Sequence, residues 1–252
     1  MREALDIDGD ISISSILHIH GELLSESDPD HAGRLREEQV WIGGSPFSPH
    51  GALYVPPASK RVSGYLDDLL DFANSDSVDP IIKVAIFHAQ FESIHPFVDG
   101  NGRTGRAMLH KLLDREGLLV NTTVPLSAGL LHDIDGYMNA LKLYQNGDPE
   151  PMIVQMISAL DLAIVIGELS SNKLVSVLNE WADLITEREG SGIHGLPAVL
   201  VEQPVVDSVY VAKRLGVTRR SATSIINRAC EYGVLRPMGN AKRGDFYQSD
   251  QL

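Results

Sequence analysis

The run His95-Pro96-Phe97-Val98-Asp99-Gly100-Asn101-Gly102-Arg103-Thr104-Gly105-Arg106 gathers a base, a carboxylate, an amide between two glycines and two guanidinium groups into one short stretch. Gly100 and Gly102 can adopt positive φ, so successive backbone N–H groups can turn toward a single anion and form a nest. A helix predicted to begin near Arg103 adds its free N–H groups and the positive end of its dipole. Asn101 is expected to donate to a phosphate oxygen, and Arg103 and Arg106 to fork onto phosphates from the first helical turn. Asp99 is the single acid of the run, and a lone carboxylate beside phosphates is a common way of holding Mg²⁺. His95 precedes Pro96, whose ring disfavours helical geometry at the preceding residue, so the imidazole is expected on a fixed corner as a proton acceptor.

The flanks are helical. Asp79-Pro80 reads as an N-cap and first helical residue, and Ile81, Ile82, Val84, Ala85, Phe87, Phe91 and Ile94 carry an apolar face up to His95. Met108, Leu109, Leu112 and Leu113 continue a second helix that Gly117 can end. The Gly- and Pro-rich stretch 43–57 reads as a flap, and 151–188 as one or two long helices. The fold class is therefore mainly α. His88 and His110 fall inside helical patterns and read as packed or surface residues, while His18 and His20 lack a ligand-type partner at suitable spacing and receive no role.

Taken whole, the run resembles the signature of the Fic family, His-Pro-Phe-x-Asp/Glu-Gly-Asn-Gly-Arg-x-x-Arg, and meets each of its fixed positions. Gly33-Arg34-Leu35-Arg36, Val40-Trp41-Ile42-Gly43 and Tyr54-Val55-Pro56-Pro57 look like the segment ahead of the motif, where a β-hairpin flap aligns the target chain. Gly136 to Leu141 and Asn146-Gly147-Asp148 look like the later helix bordering an adenine pocket. The resemblance implies a protein adenylyltransferase, an enzyme that moves AMP from Mg-ATP to a Ser, Thr or Tyr hydroxyl of a target protein or of itself. His95 is then the catalytic base and Asp99 the Mg²⁺ ligand. Gly100, Asn101, Gly102, Arg103, Gly105, Arg106, Tyr137, Met138 and Gln145 bind the nucleotide. Relatives often carry two adjacent tyrosines where this chain has Tyr137-Met138; a polarizable Met can also cover a purine face. Related Doc-type kinases replace the second nest glycine with lysine, and retention of Gly102 favours adenylylation over phosphorylation. Many relatives carry an inhibitory helix whose Glu pairs with the second motif arginine; no such pattern is found here, so Arg106 is expected to be unpaired by an internal glutamate.

Composition bounds the rest. The 252 residues carry a formal net charge of −13, which argues against a nucleic-acid binder as a whole. Cys230 stands alone and the N-terminus shows no cleavage pattern, which fits a cytoplasmic setting; no stretch is expected to cross a membrane. Glu189-Gly190-Ser191-Gly192 suggests a linker, giving a catalytic domain over 1–188, a linker over 189–197 and a second domain over 198–252. From Leu196 onward eight Lys/Arg stand against five Asp/Glu, a net of +3, which leaves −16 for the remainder. Val211 to Thr218 followed by Ser221 to Tyr232 resembles a helix-turn-helix with Gly216 at the turn. Val234 to Arg236 and Asp245 to Tyr247 are expected as strands of a wing whose tip is 239–244. In such a winged helix, Arg219, Arg220, Lys242 and Arg243 are where DNA phosphates would lie, so a nucleotide-sensing transcription regulator is the alternative function. Self-association is left open.

Overall fold

The computed structural model describes residues 9–76, 78–119, 123–239 and 246–252. The chain divides into two compact units, Met1–Gly167 and Glu168–Leu252.

In the first unit, helix α1 (Ile13–Leu24) begins with a reciprocal cap: the Ser12 hydroxyl accepts from Ser15 N–H, and the Ser15 hydroxyl accepts from Ser12 N–H. Its Ile16, Ile19 and Leu24 are buried, as are Val62, Leu66, Leu69 and Ala73 of α2 (Val62–Asn74). Helix α3 (Pro80–Ile94) starts where the sequence places it, with the Asp79 side chain accepting from Ile81 N–H and Pro80 at the first turn. It is buried on most of its faces, which makes it the central helix. Helix α4 (Asn101–Arg115) begins two residues before the expected Arg103, because Gly100, at φ 78°, turns the chain directly into it. At its far end Gly117 N–H bonds Asp114 O and Leu118 N–H bonds Leu113 O, a Schellman closure that needs the positive φ of Gly117. α3 packs against α2 and α4, and α1 packs against α4. A buried ion pair, Lys83 Nζ to Glu116 Oε1 at 2.6 Å, ties the start of α3 to the end of α4. Two further helices follow, α5 (Leu126–His132) and α6 (Ile134–Gln145).

Helix α7 (Glu150–Leu184) is one continuous helix. Its Met156 and Ala159 join the core of the first unit, and its Val177 and Trp181 that of the second. The expectation about membrane length needs correction: α7 is long and apolar enough to cross one by length and composition, and 22% of its most apolar stretch is buried. The apolar residues along its outer face, among them Val154, Ile164 and Leu169, account for that composition.

The domain boundary also differs from the expectation. The units part inside α7, and much of the expected 189–197 linker belongs to the second core: Ile193 and Leu196 are fully buried there beside Trp181, Val211 and Ile225. The Gly-Ser-Gly composition signalled a turn, but the apolar residues after it fold inward. Helix α8 (Leu196–Glu202) and the short strand β1 (Val205–Val206) lead to α9 (Ser208–Leu215) and α10 (Arg219–Glu231). Asp207 and Thr218 cap these last two helices, and Gly216 at φ 66° turns between them. Strands β2 (Arg236–Met238) and β3 (Phe246–Gln248) complete an antiparallel sheet in the order β1-β3-β2. β2 starts two residues later than expected, because Val234 and Leu235 are first buried in the core. Lys242, Arg243 and the rest of 240–245 lie outside the described residues.

Candidate active site

α3 ends at His95, the single non-glycine residue with positive φ among those described (φ 49°, ψ 63°). The corner expected from Pro96 is therefore left-handed rather than extended. Two contacts hold it: His95 N–H bonds Phe91 O at 2.9 Å, and His95 O accepts from Arg36 Nε at 2.7 Å. The imidazole Nδ1 lies 3.3 Å from Glu92 O. A carbonyl only accepts, so Nδ1 carries the proton and Nε2 keeps its lone pair. Burial lowers the His95 pKa from its ordinary value, and the Arg36 charge lowers it further against the backbone bond to Glu92 and the charge of Asp99. The ring is thus held neutral, as a base must be.

Arg36 is the residue that sequence reasoning passed over. It is 3% exposed, and its guanidinium donates to His95 O, Glu38 O, Pro57 O and Ile94 O. Its own N–H bonds Pro96 O. One side chain therefore fixes both ends of the 38–57 segment to the His95 corner. The segment itself is not a regular hairpin: it has isolated bridges at Ile42–Tyr54 and Ser45–Ser48 where a strand pair was expected. Tyr54 Oη, donating to Ser93 O at 2.9 Å, anchors it to α3.

The turn after the histidine is braced from inside. Asn101 departs from its expected role, because its Oδ1 accepts from Phe97 N–H and its Nδ2 donates to Phe97 O, each at 2.9 Å. With both polar ends spent on the backbone and the residue 3% exposed, the side chain is a clamp and not a phosphate donor. His20, given no role from sequence, is the second brace. Gly33 N–H donates to its Nδ1 at 2.9 Å, so the proton sits on Nε2, which donates to Asp99 O at 3.1 Å. Its ring stacks on Phe97 with centroids 3.6 Å apart and planes 4° from parallel. Burial lowers its pKa and favours that neutral form. Gly100 is required here twice over: at φ 78° it takes a conformation L side chains rarely adopt, and a Cβ would stand 2.6 Å from Leu24 and 3.2 Å from His20 Nε2.

Asp99 and Arg103 are exposed and paired with each other, Nη2 to Oδ2 at 3.0 Å, while Asp99 Oδ1 accepts from Gly100 N–H at 2.6 Å. Among the described residues no group of three His, Cys, Asp or Glu side chains could hold a metal by itself. Among the described residues Arg106 makes no ion pair with a carboxylate. It folds back along α4, so that a Cβ on Gly102 would lie 3.0 Å from its Nη1.

The expected adenine-side residues do not come together. Tyr137 turns inward, its hydroxyl 2.9 Å from His88 Nε2, and burial raises its pKa. Met138 is 42% exposed. Gln145 instead lines a cavity of ≈ 290 Å³ with Tyr54, Pro57, Gln90, Ser93 and Tyr144, between α3, α6 and the flap. Tyr144 Oη donates to Gln90 Oε1 in its wall. Tyr137 and Met138 are not part of that wall because they leave α6 two turns earlier, on faces set by the His88 contact and by solvent.

Comparison with known proteins converges on this loop. The Fic/DOC family model matches residues 10–113, which include α1, the flap and the whole motif. The chain is 38% identical over 111 residues to the protein adenylyltransferase fic-1 of Caenorhabditis elegans, covering 43% of this chain and 20% of that one. It is 32% identical over 147 residues to the protein adenylyltransferase Fic of Drosophila willistoni, covering 57% and 26%. It thus spans about a quarter or less of the length of these relatives. Among solved structures, a Fic family protein from Desulfovibrio desulfuricans G20 superposes with a TM-score of 0.56 at 22% identity, over 98% of this chain and 71% of that one, which speaks for the fold. Over residues 10–113, which hold the His95–Arg106 run, this chain matches the Fic/DOC family model.

Proposed function

We propose that the first unit transfers AMP from ATP to a Ser, Thr or Tyr hydroxyl of a protein target, with Mg²⁺ accompanying the nucleotide at Asp99. The observation that carries this reading is His95: a neutral imidazole with Nδ1 turned to Glu92 O and Nε2 left to accept a proton, on a corner braced by Arg36 and set beside the nest. His95 Nε2 takes the proton of the target hydroxyl as its oxygen bonds to the α-phosphorus. The bond from that phosphorus to the bridging oxygen breaks, and pyrophosphate leaves. Gly100 alone takes the expected positive φ, Gly102 being already helical; the free N–H groups of the first turn of α4 bind phosphate oxygens, and Arg103 and Arg106 offset the charge of the departing groups. An exposed single carboxylate fits Mg²⁺, which keeps most of its waters and takes its remaining ligands from phosphates. Once bound, the ion would offset phosphate charge, and Arg103 would be released from Asp99. Gly102 stands where the resemblance places lysine in the kinase arrangement, and its retention supports adenylylation. A sensor would need phosphate donors but not a base held neutral.

The test is label transfer from ATP carrying its label on the α-phosphate, in wild type and in His95→Ala, with lysate proteins as acceptors; transfer independent of His95 would refute the assignment. The pH dependence follows from the lowered pKa of His95. The base is active only when unprotonated, so the acid limb of kcat/KM should fall below the ordinary histidine value of about 6.5. Subsaturating rates measured from pH 5 to 8 check this, and a limb centred at or above that value would contradict the environment assigned to the ring.

A further inference from the structure

The second unit carries a charged face that AMP transfer does not use. Residues 208–238, which make up α9, the turn, α10 and β2, hold six Lys/Arg and a single acid, Glu231, a net of +5 in a chain whose formal charge is −13. Three of these cations are paired with acids: Arg214 with Glu202, Arg228 with Glu187 and Arg236 with Asp250. Lys213, Arg219 and Arg220 pair with no carboxylate among the described residues. Lys213 lies in the last turn of α9, and Arg219 and Arg220 open α10, so the three flank the turn at 216–218. Arg219 Nε donates to Ser208 Oγ at 3.1 Å, which sets the start of α9 beside the start of α10. α10 buries Ala222, Ile225, Ile226 and Ala229 and turns Arg220, Thr223, Ser224 and Asn227 to solvent. Those four recur at spacings of three and four residues and so form one stripe. Every side chain in it can hydrogen-bond and none is apolar, whereas a protein-docking face is centred on apolar and aromatic anchors. After α10 the antiparallel β2–β3 hairpin closes onto β1, which completes the helix-turn-helix and wing expected from the sequence.

We propose that the second unit binds duplex DNA, with α10 in the major groove, Arg220 and Asn227 toward base edges, and Lys213 and Arg219 toward phosphates. The major groove admits an α-helix, and guanidinium and amide groups pair bidentately there, Arg with guanine and Asn with adenine. The unpaired cations at the turn supply the sequence-independent attraction, and the stripe supplies the selectivity. The acidic remainder of the chain keeps that attraction confined to this face.

The test is fluorescence anisotropy of the full chain with a labelled DNA duplex of mixed sequence over about 50–200 mM salt, and with duplexes that the chain selects from a random pool. The mixed duplex should bind with a Kd of about 10⁻⁶–10⁻⁴ M at physiological salt, and the selected duplexes more tightly. Lys213→Ala should weaken every duplex alike and lower the salt slope by about 1, whereas Arg220→Ala should cost the selected duplexes about tenfold or more and level their preference at one base pair. Both side chains are exposed, so an unchanged melting temperature separates these losses from loss of fold. Lys60→Ala, an exposed position in the first unit, should change neither affinity nor slope. None of these readouts depends on AMP transfer. Absence of binding at the lowest salt would overturn the inference. A pool that returns no preferred sequence, or displacement by polyglutamate as readily as by unlabelled duplex, would reduce the binding to charge alone and overturn it as well. Equal affinity for duplex RNA would take α10 out of the groove, because side chains cannot read the narrow major groove of the A form, and would have the same consequence.

Discussion

His95→Ala is expected to slow AMP transfer by about 10²- to 10⁴-fold, the range for removing a positioned general base, while leaving the affinity for ATP near that of wild type. The separation of effects follows from the geometry. The imidazole stands on the corner before the turn, whereas the phosphates are assigned to the N–H groups of α4 and to Arg103 and Arg106. The backbone of the corner is fixed by Arg36 and Phe91 through main-chain atoms that the substitution does not remove. Stopped-time label transfer gives the rate, and calorimetry with ATP gives the affinity. A matched loss in both would mean that the ring binds nucleotide and that the base must be sought elsewhere.

The largest effect on stability is expected at the other end of the same helix pair. Glu116→Ala should destabilise the first unit by about 3–5 kcal/mol, because it strands the ammonium of Lys83, whose side chain is 1% exposed, without its partner at 2.6 Å. Replacing both residues with apolar ones of similar volume, Lys83→Met with Glu116→Leu, should recover most of that loss, since the cost lies in the uncompensated charge. Urea denaturation followed at a probe within the first unit measures both. Equal destabilisation by the single and the double variant would show that packing, and not the stranded charge, sets the cost. The exposed Arg214–Glu202 pair in the second unit should give little change when either partner is removed.

How much of this was legible in the sequence depended on whether partners were neighbours along the chain. Asp79-Pro80 announced α3, Gly117 announced the end of α4, and the loop between them could be read because its chemistry is contiguous. His20 and Arg36 could not be found that way. They lie 79 and 59 residues from the motif atoms they bond, and those atoms are main-chain carbonyls that leave no complementary side chain to notice. Asn101 shows a different limit. An amide between two glycines can donate to a phosphate or clamp a turn, and only the position of Phe97 decides between them. The approach of Glu92 to Gly105 appears only once α3 and α4 are packed. The unit boundary was misplaced because glycine and serine mark a bend in the chain, not the limit of a core, and Ile193 and Leu196 lie just beyond them.

The left-handed backbone of His95 sets chemistry against durability at a single position. An L side chain held at φ 49° carries strain of roughly 1–2 kcal/mol that glycine would not. Random substitution filtered for thermal tolerance alone would thus drift toward glycine at 95 and erase the base. On the proposed assignment histidine at 95 sets this strain against the need for proton transfer, and libraries built to harden this domain need that position held fixed.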